Sequence, residues 1–114
     1  MKCRYGLLGG SELKLAVTEG PIERMRGLLG RPLPLGQGLL IRPCNMVHTW
    51  GMRYPIDVVF VSRQGVILKL CPDVARKRFR GCLGAHAVIE LPAGDSLARC
   101  LRRGMAVARE LLEP

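Results

Sequence analysis

The segment from His48 to Val61 constrains the fold of this chain more than any other. It ends in Val58-Val59-Phe60-Val61, an unbroken run of β-branched and aromatic residues. A short apolar run of this kind is typical of a strand that is covered on both faces. Asp57 immediately precedes the run, and a carboxylate at the mouth of a buried strand needs hydrogen-bonding partners. We therefore expect the chemistry of the protein to lie near this segment.

The length and composition of the chain fit one globular domain. It has 114 residues, of which 48% are hydrophobic and only 4% aromatic, so its core should consist of Leu, Val, Ile and Met. We predict a single domain over residues 1–114. No apolar run reaches the roughly 18 residues of a membrane helix, so no membrane insertion is expected. The segment Met1 to Gly10 also lacks the apolar run of a signal peptide.

The cysteine pattern predicts a reducing environment. Cys3, Cys44, Cys71, Cys82 and Cys100 are odd in number, and no two of them form a C-x-x-C pair. This excludes a complete disulfide framework, and we expect a cytoplasmic location.

Hydrophobic periodicity predicts an α+β fold that is mainly β. Helical spacing places two short helices at Pro21 to Leu29 and at Asp95 to Arg103. Gly65 occupies the position of a hairpin turn that needs a positive φ. We expect an antiparallel sheet that curls toward a small barrel. The predicted strands are Glu12 to Thr18, Leu39 to Ile41, Ile56 to Ser62, Val66 to Leu70 and Ala87 to Leu91.

The two C-terminal segments carry more detailed expectations. In the second helix, apolar spacing turns Leu97, Cys100 and Leu101 inward. The tail from Met105 to Leu112 fits a last strand or a helical turn equally well. The same helical spacing turns three arginines outward, namely Arg99, Arg102 and Arg103.

Several motifs, taken in order, resemble a known family. They are Arg26 to Arg31, the His48 to Phe60 segment with its His-Thr-x-x-Met-Arg-x-Pro-Ile-Asp pattern, and Val88 to Gly94. This order is similar to domain of unknown function 192 (DUF192), a family of small bacterial and archaeal proteins, over about residues 12–107. The resemblance implies a compact β-rich fold with two short helices and no established activity. The chain departs from the commoner pattern at Gly51 and in its basic loop at 76–80, whose role the resemblance does not supply.

The segment before the buried strand has a structural and a functional interpretation. In the structural one, Asp57 accepts backbone N–H groups from residues 45–52 and Arg53 neutralises it. In the functional one, Arg53 offers a forked donor to a carboxylate or phosphate. That donor would lie in a shallow polar patch with Asn45, His48, Thr49, Trp50 and Asp57.

Cys44 and His48 suggest two further alternatives. As an enzyme, the chain would use Cys44 as nucleophile and His48 as base, with Asn45 or Asp57 orienting the imidazole. That mechanism requires the Cys44 Sγ to lie within reach of His48. The same pair could contribute to a zinc or copper site. The other candidates for that site, Cys71, Cys82 and His86, lack a recognisable ligand spacing, so we expect no metal and no cofactor.

The basic character of the chain suggests a nucleic-acid alternative. Lys and Arg number 18 against 9 Asp and Glu, a net charge of +9. We predict a loop that holds Phe79 for stacking on a base and Arg76, Lys77, Arg78 and Arg80 for phosphate contacts. A nucleic-acid binder of this kind needs one continuous face that also includes Arg99 and Arg102. Non-specific attraction to anionic polymers at low salt is expected in any case.

The sequence favours a non-enzymatic accessory domain that binds an unknown small ligand or protein partner. Its predicted binding patch surrounds His48, Arg53 and Asp57. A basic nucleic-acid-binding protein and a Cys/His-dependent enzyme remain the alternatives.

Overall fold

The structure is a computed structural model that describes residues 2–18 and 33–112. Among these residues, none of the helices has the length and apolarity that a membrane crossing requires. The elements follow one another as β1 (Lys2–Leu8), β2 (Ser11–Thr18), β3 (Gln37–Ile41), β4 (Met46–His48), β5 (Ile56–Val61), β6 (Ile67–Val74), β7 (Phe79–Gly81), β8 (Ala87–Pro92), α1 (Asp95–Ala98) and α2 (Arg109–Leu112).

Six strands form one curled, mixed sheet in the order β1-β2-β3-β8-β5-β6. Four of the neighbouring pairs are antiparallel, as predicted, but β2 and β3 run parallel. The expectation of a purely antiparallel sheet is therefore wrong at this pair. A parallel pair needs a crossover connection, which here runs through residues 19–36. The predicted helix Pro21 to Leu29 falls in that connection, outside the described residues.

The sheet does not close into the small barrel that we predicted. β1 and β6 stay at its two edges, and the remaining strands, β4 and β7, pair with each other in a separate ribbon. The strand β1 was not predicted, although Cys3, Tyr5 and Leu7 alternate with Lys2, Arg4 and Gly6. The predicted loop over residues 76–80 is also wrong in part, since Phe79 and Arg80 belong to β7.

The central hairpin of β5 and β6 forms as its sequence indicates. Every residue of β5 is buried, and Gly65 in the turn has a φ of 85°. β6 runs four residues beyond the predicted end at Leu70 and includes Pro72. The pairing register shifts between Ile56 and Val58, so Pro72 lies at an irregularity where a strand tolerates its missing N–H.

Apolar side chains cover both faces of the sheet. One face packs against the C-terminal segment through Leu101, Val107 and Leu111. The other face, with Val58 and Phe60 at its centre, packs against Val47 and Met52. Because these last two residues belong to the segment that precedes β5, their burial fixes that segment on the sheet and positions the candidate site.

The second predicted helix is shorter than its periodicity indicates. α1 ends at Ala98 instead of Arg103, Leu97 is 81% exposed, and Cys100 is exposed with a φ of 54°. Arg99 was expected in solvent but is only 5% exposed. Its guanidinium pairs with Asp95 at 2.7 Å and donates to the carbonyls of Leu8, Ser11 and Glu12. These tertiary bonds to the β1–β2 turn outweigh the helical pattern.

Candidate functional site

Thr49 joins two parts of the chain that the sequence analysis treated as separate candidates. Its fully buried hydroxyl donates to the Ala75 carbonyl at 2.7 Å and accepts the Arg78 N–H at 2.9 Å. The Thr49 N–H also donates to the Arg78 carbonyl at 2.9 Å. These bonds hold the basic segment 75–79 against the turn that follows β4.

The β4–β7 ribbon then brings three rings together. His48 pairs with Phe79 across the two strands, and their ring centroids lie 6.0 Å apart in an edge-to-face arrangement. The Trp50 ring also contacts Phe79, with a centroid distance of 5.1 Å and an interplanar angle of 41°. Both spacings are within the range of favourable aromatic pairs.

This ring cluster is exposed to solvent. Phe79 is 61% exposed and Trp50 is 48% exposed, and His48 is exposed as well. Because these exposed rings contact one another, they form a patch, and an exposed apolar patch is more informative than a single exposed residue. We call the three rings, together with Arg76, Lys77, Arg78 and Arg80, the aromatic–basic surface.

The cations of the aromatic–basic surface have no acidic partner among the described residues. The ion pair between Arg99 and Asp95 lies on another part of the fold. One guanidinium nitrogen of Arg78 donates to the carbonyls of Arg76 and Lys77, and one of Arg80 donates to the Phe79 carbonyl. Because a guanidinium has five N–H donors, others remain for an anion.

The backbone of the basic segment also has an uncommon conformation. Lys77 has a φ of 61°, in the left-handed region that non-glycine residues seldom adopt. The Thr49 carbonyl accepts the Lys77 N–H at 3.4 Å, close to this turn. The bonds from Thr49 therefore hold a tight reversal in the middle of the cationic segment.

Cys44 and His48 do not hydrogen-bond to each other. The Cys44 thiol donates to the Met46 carbonyl at 3.2 Å, and the His48 Nδ1 accepts the Trp50 N–H at 3.2 Å. A neutral His48 that accepts at Nδ1 carries its proton on Nε2. Asn45, the suggested orienting group, is exposed, and its backbone carbonyl accepts the Cys82 N–H. The arrangement lacks the nucleophile–base contact that thiol catalysis needs.

Asp57 is fully buried, but its donors are not those that we predicted. Its Oδ1 accepts the N–H groups of Asp73 at 2.8 Å and Gly94 at 3.1 Å. Its Oδ2 accepts the Ser96 N–H at 2.8 Å and the Ser96 hydroxyl at 2.5 Å. The prediction that residues 45–52 supply these donors is therefore wrong. Asp57 ties β5 to β6 and to the start of α1.

Of the six residues of the predicted patch, two thus lie beneath the surface and four, Asn45, His48, Trp50 and Arg53, are exposed. Thr49 and Asp57 are fully buried, whereas Arg53 is exposed on the turn between Trp50 and β5. The expected continuous face with Arg99 and Arg102 fails at Arg99, which is buried in its ion pair, so among the described residues the cations that remain together are those of the aromatic–basic surface alone. No group of three or more His, Cys, Asp or Glu side chains in the described part of the chain is arranged to hold a metal ion.

Glu90 is a buried carboxyl that sequence reasoning did not single out. It lies on the central strand β8, between Leu39 of β3 and Val58 of β5, and is 6% exposed. Burial raises the pKa of Glu90 to about 7. The pKa of Tyr54 is raised by its own partial burial and, to a smaller extent, by the charge of Glu90.

Sequence reasoning also missed the contact between Phe79 and Trp50. Each residue was recognised alone, but the contact depends on the pairing of two three-residue strands. The exposed positions Met46 and His48 alternate with the buried Val47, and this pattern is the signal in the sequence that indicates a strand there.

The comparisons with known proteins agree with this fold. A crystal structure from Sinorhizobium meliloti 1021, described as a "putative transcription regulator", superposes with a TM-score of 0.76 at 20% identity and covers 90% of this chain and 87% of that one. A protein of unknown function from Novosphingobium aromaticivorans DSM 12444 superposes with a TM-score of 0.73 at 19% identity, covering 93% of this chain and 82% of that one. No curated protein matches the chain significantly. The family model for DUF192, described as an uncharacterized ACR, matches residues 7–108, and the chain therefore belongs to the DUF192 family.

Proposed function

We propose that this chain is a non-enzymatic binding domain that holds an anionic ligand or partner on the aromatic–basic surface. The observation that carries the proposal is the juxtaposition of exposed rings and cations, which Thr49 holds together from two distant segments. Thr49 is the interior anchor of the surface and makes no contact with the ligand.

The local balance of charge supports an anionic partner. The segments 45–55 and 72–81 contain five cations, Arg53, Arg76, Lys77, Arg78 and Arg80, against the single acid Asp73. Cations that project from a fixed backbone lose less entropy on binding than cations on a free chain. The segment 75–79 is fixed by its bonds to Thr49, so its charges are preorganised for a phosphate or carboxylate group.

The chemistry of the surface supports binding without catalysis. The Cys44 thiol, the nucleophile suggested by the sequence, donates to the Met46 carbonyl, and the His48 Nδ1 accepts the Trp50 N–H. Neither atom is paired with a group that would activate it.

The test measures the affinity for inorganic polyphosphate in matched charge variants. We expect R76A/R78A to bind at least about tenfold more weakly at low salt, because it loses two phosphate contacts. The control R102A/R103A removes the same charge from two exposed arginines elsewhere and should change the affinity less than about twofold. Equal losses in both double variants would show that net charge alone is responsible and would contradict the proposal.

A second pair of variants tests the role of Thr49. T49V leaves every charge and ring in place but removes both hydroxyl bonds to segment 75–79, so polyphosphate affinity should fall. T18V removes another buried threonine hydroxyl, which donates to the Leu40 carbonyl within the main sheet, and should leave the affinity unchanged. Wild-type affinity in folded T49V would show that the bonds of the Thr49 hydroxyl to segment 75–79 are not needed for binding.

A further inference from the structure

We propose that the anionic partner is a single-stranded nucleic acid whose unpaired bases stack on Trp50 and Phe79. This inference rests on the proposed function, since it assigns a chemical class to the ligand of the same surface.

The exposed rings are the first reason. The chain has one Trp, two Phe and two Tyr, and Phe60 is fully buried in the core. With so few aromatic side chains, the fold still leaves Phe79 and Trp50 in mutual contact and about half exposed or more. Cations alone would suffice for an anion without rings, such as polyphosphate. Adjacent exposed rings add a surface on which planar bases stack.

The position of the cations is the second reason. Phe79 lies within the cationic segment, between Arg78 and Arg80, so one short stretch of backbone supplies both a stacking ring and phosphate donors. A single strand alternates bases and phosphates along its length in the same way. The Arg78 N–H donates to the Thr49 hydroxyl and the Thr49 N–H donates to the Arg78 carbonyl, and these two bonds fix the relation of this stretch to Trp50.

The form of the surface favours a single strand over a duplex. In a duplex the base faces are already stacked on one another, so exposed rings have no base to receive. The described residues also present no long helix for a major groove, because α1 and α2 have four residues each. Unpaired bases, by contrast, are available to rings on an open ribbon.

Trp50 provides a direct signal for the test, because it is the only tryptophan of the chain. The experiment titrates the protein with an oligothymidylate of about 12 nucleotides, a blunt duplex of that length, and polyphosphate of matched charge, near 0.15 M salt. We expect the single strand to quench Trp50 fluorescence and to bind at least about tenfold more tightly than the other two ligands.

A matched pair of aromatic variants tests the stacking itself. F79L keeps an apolar side chain and the charge but removes the ring, and it should weaken oligothymidylate binding by about 5-fold to 100-fold while polyphosphate binding stays unchanged. The control Y5L removes a ring that is 67% exposed at the far edge of the sheet, on β1, and should change neither affinity.

The outcomes separate this inference from the proposed function. If polyphosphate binds as tightly as the single strand, or F79L has no effect, the surface binds anions but the nucleic-acid inference is wrong. A preference for the duplex would also overturn it. If none of the three ligands binds even at low salt, or if R102A/R103A loses as much affinity as R76A/R78A, the proposed function fails as well.

Discussion

The replacement of Asp57 by Asn is the most direct test of how the fold positions the site. The carboxylate accepts three backbone N–H groups and one hydroxyl, all at 2.5 to 3.1 Å. Asn retains one acceptor oxygen and replaces the other by an NH₂ donor. If the oxygen stays with Asp73 and Gly94, the NH₂ group faces the Ser96 N–H, which then loses its acceptor.

The cost of this change can be estimated from its parts. A buried donor without a partner costs about 1–3 kcal/mol, and the bonds that remain lose the strength that the charged acceptor gave them. We therefore expect D57N to lower the free energy of unfolding by about 2–4 kcal/mol. That is a large share of the roughly 5–15 kcal/mol of a typical domain.

Urea unfolding followed by circular dichroism measures the effect. The loss corresponds to a midpoint shift of about 1–3 M urea for a small domain. The control R63Q changes an exposed residue in the β5–β6 turn and should stay within about 0.5 kcal/mol of the wild type. A double-mutant cycle of D57N with S96A should show a coupling of about 1 kcal/mol. Wild-type stability in D57N, or strict additivity with S96A, would refute the anchoring role of Asp57.

Two further predictions concern buried charged groups. Burial raises the pKa of Glu90 to about 7 in the folded protein, whereas its ordinary pKa of 4.5 applies in the unfolded chain. Between these two pH values the unfolded chain ionises Glu90 while the folded protein keeps it protonated. The stability that protonated Glu90 contributes is therefore complete below about pH 4.5 and is lost as the pH rises through 7. E90Q should remove this part of the pH dependence and be more stable than the wild type at pH 8 by on the order of 3 kcal/mol. Urea unfolding from pH 5 to 8 measures this difference. If the free energy of unfolding changed with pH equally in both proteins, the prediction would be contradicted. R99K keeps the charge but loses the forked guanidinium that reaches Asp95 and the carbonyls of Leu8, Ser11 and Glu12. We expect it to lower the free energy of unfolding by about 2–4 kcal/mol, as thermal or urea unfolding would measure. The control R102K, at an exposed arginine, should lower it by less than about 0.5 kcal/mol.

The sequence by itself determined the features that depend on neighbouring residues. The run at Val58 to Val61 predicted a buried strand, and Gly65 predicted the turn of its hairpin, because hydrophobic alternation and turn conformation are local properties. The motif order likewise identified the family that the family model confirms. The strands β2, β3 and β8 were also predicted within two residues of their observed ends.

Only the tertiary structure decided where the longer-range bonds lie. The helix that should have continued to Arg103 stops early because Arg99 reaches the carbonyls of the β1–β2 turn, and no local pattern encodes that contact. Asp57 was recognised as a carboxylate in need of donors, but its donors come from β6 and α1.

The candidate site illustrates the same division. The sequence revealed a polar turn and a basic segment as two separate hypotheses. They form one surface because the Thr49 hydroxyl bonds to Ala75 and Arg78 and because β4 pairs with β7. Strand pairing over such a separation depends on the free energy of the whole packed chain, which places Val47 and Met52 on the sheet and so brings Trp50 to Phe79.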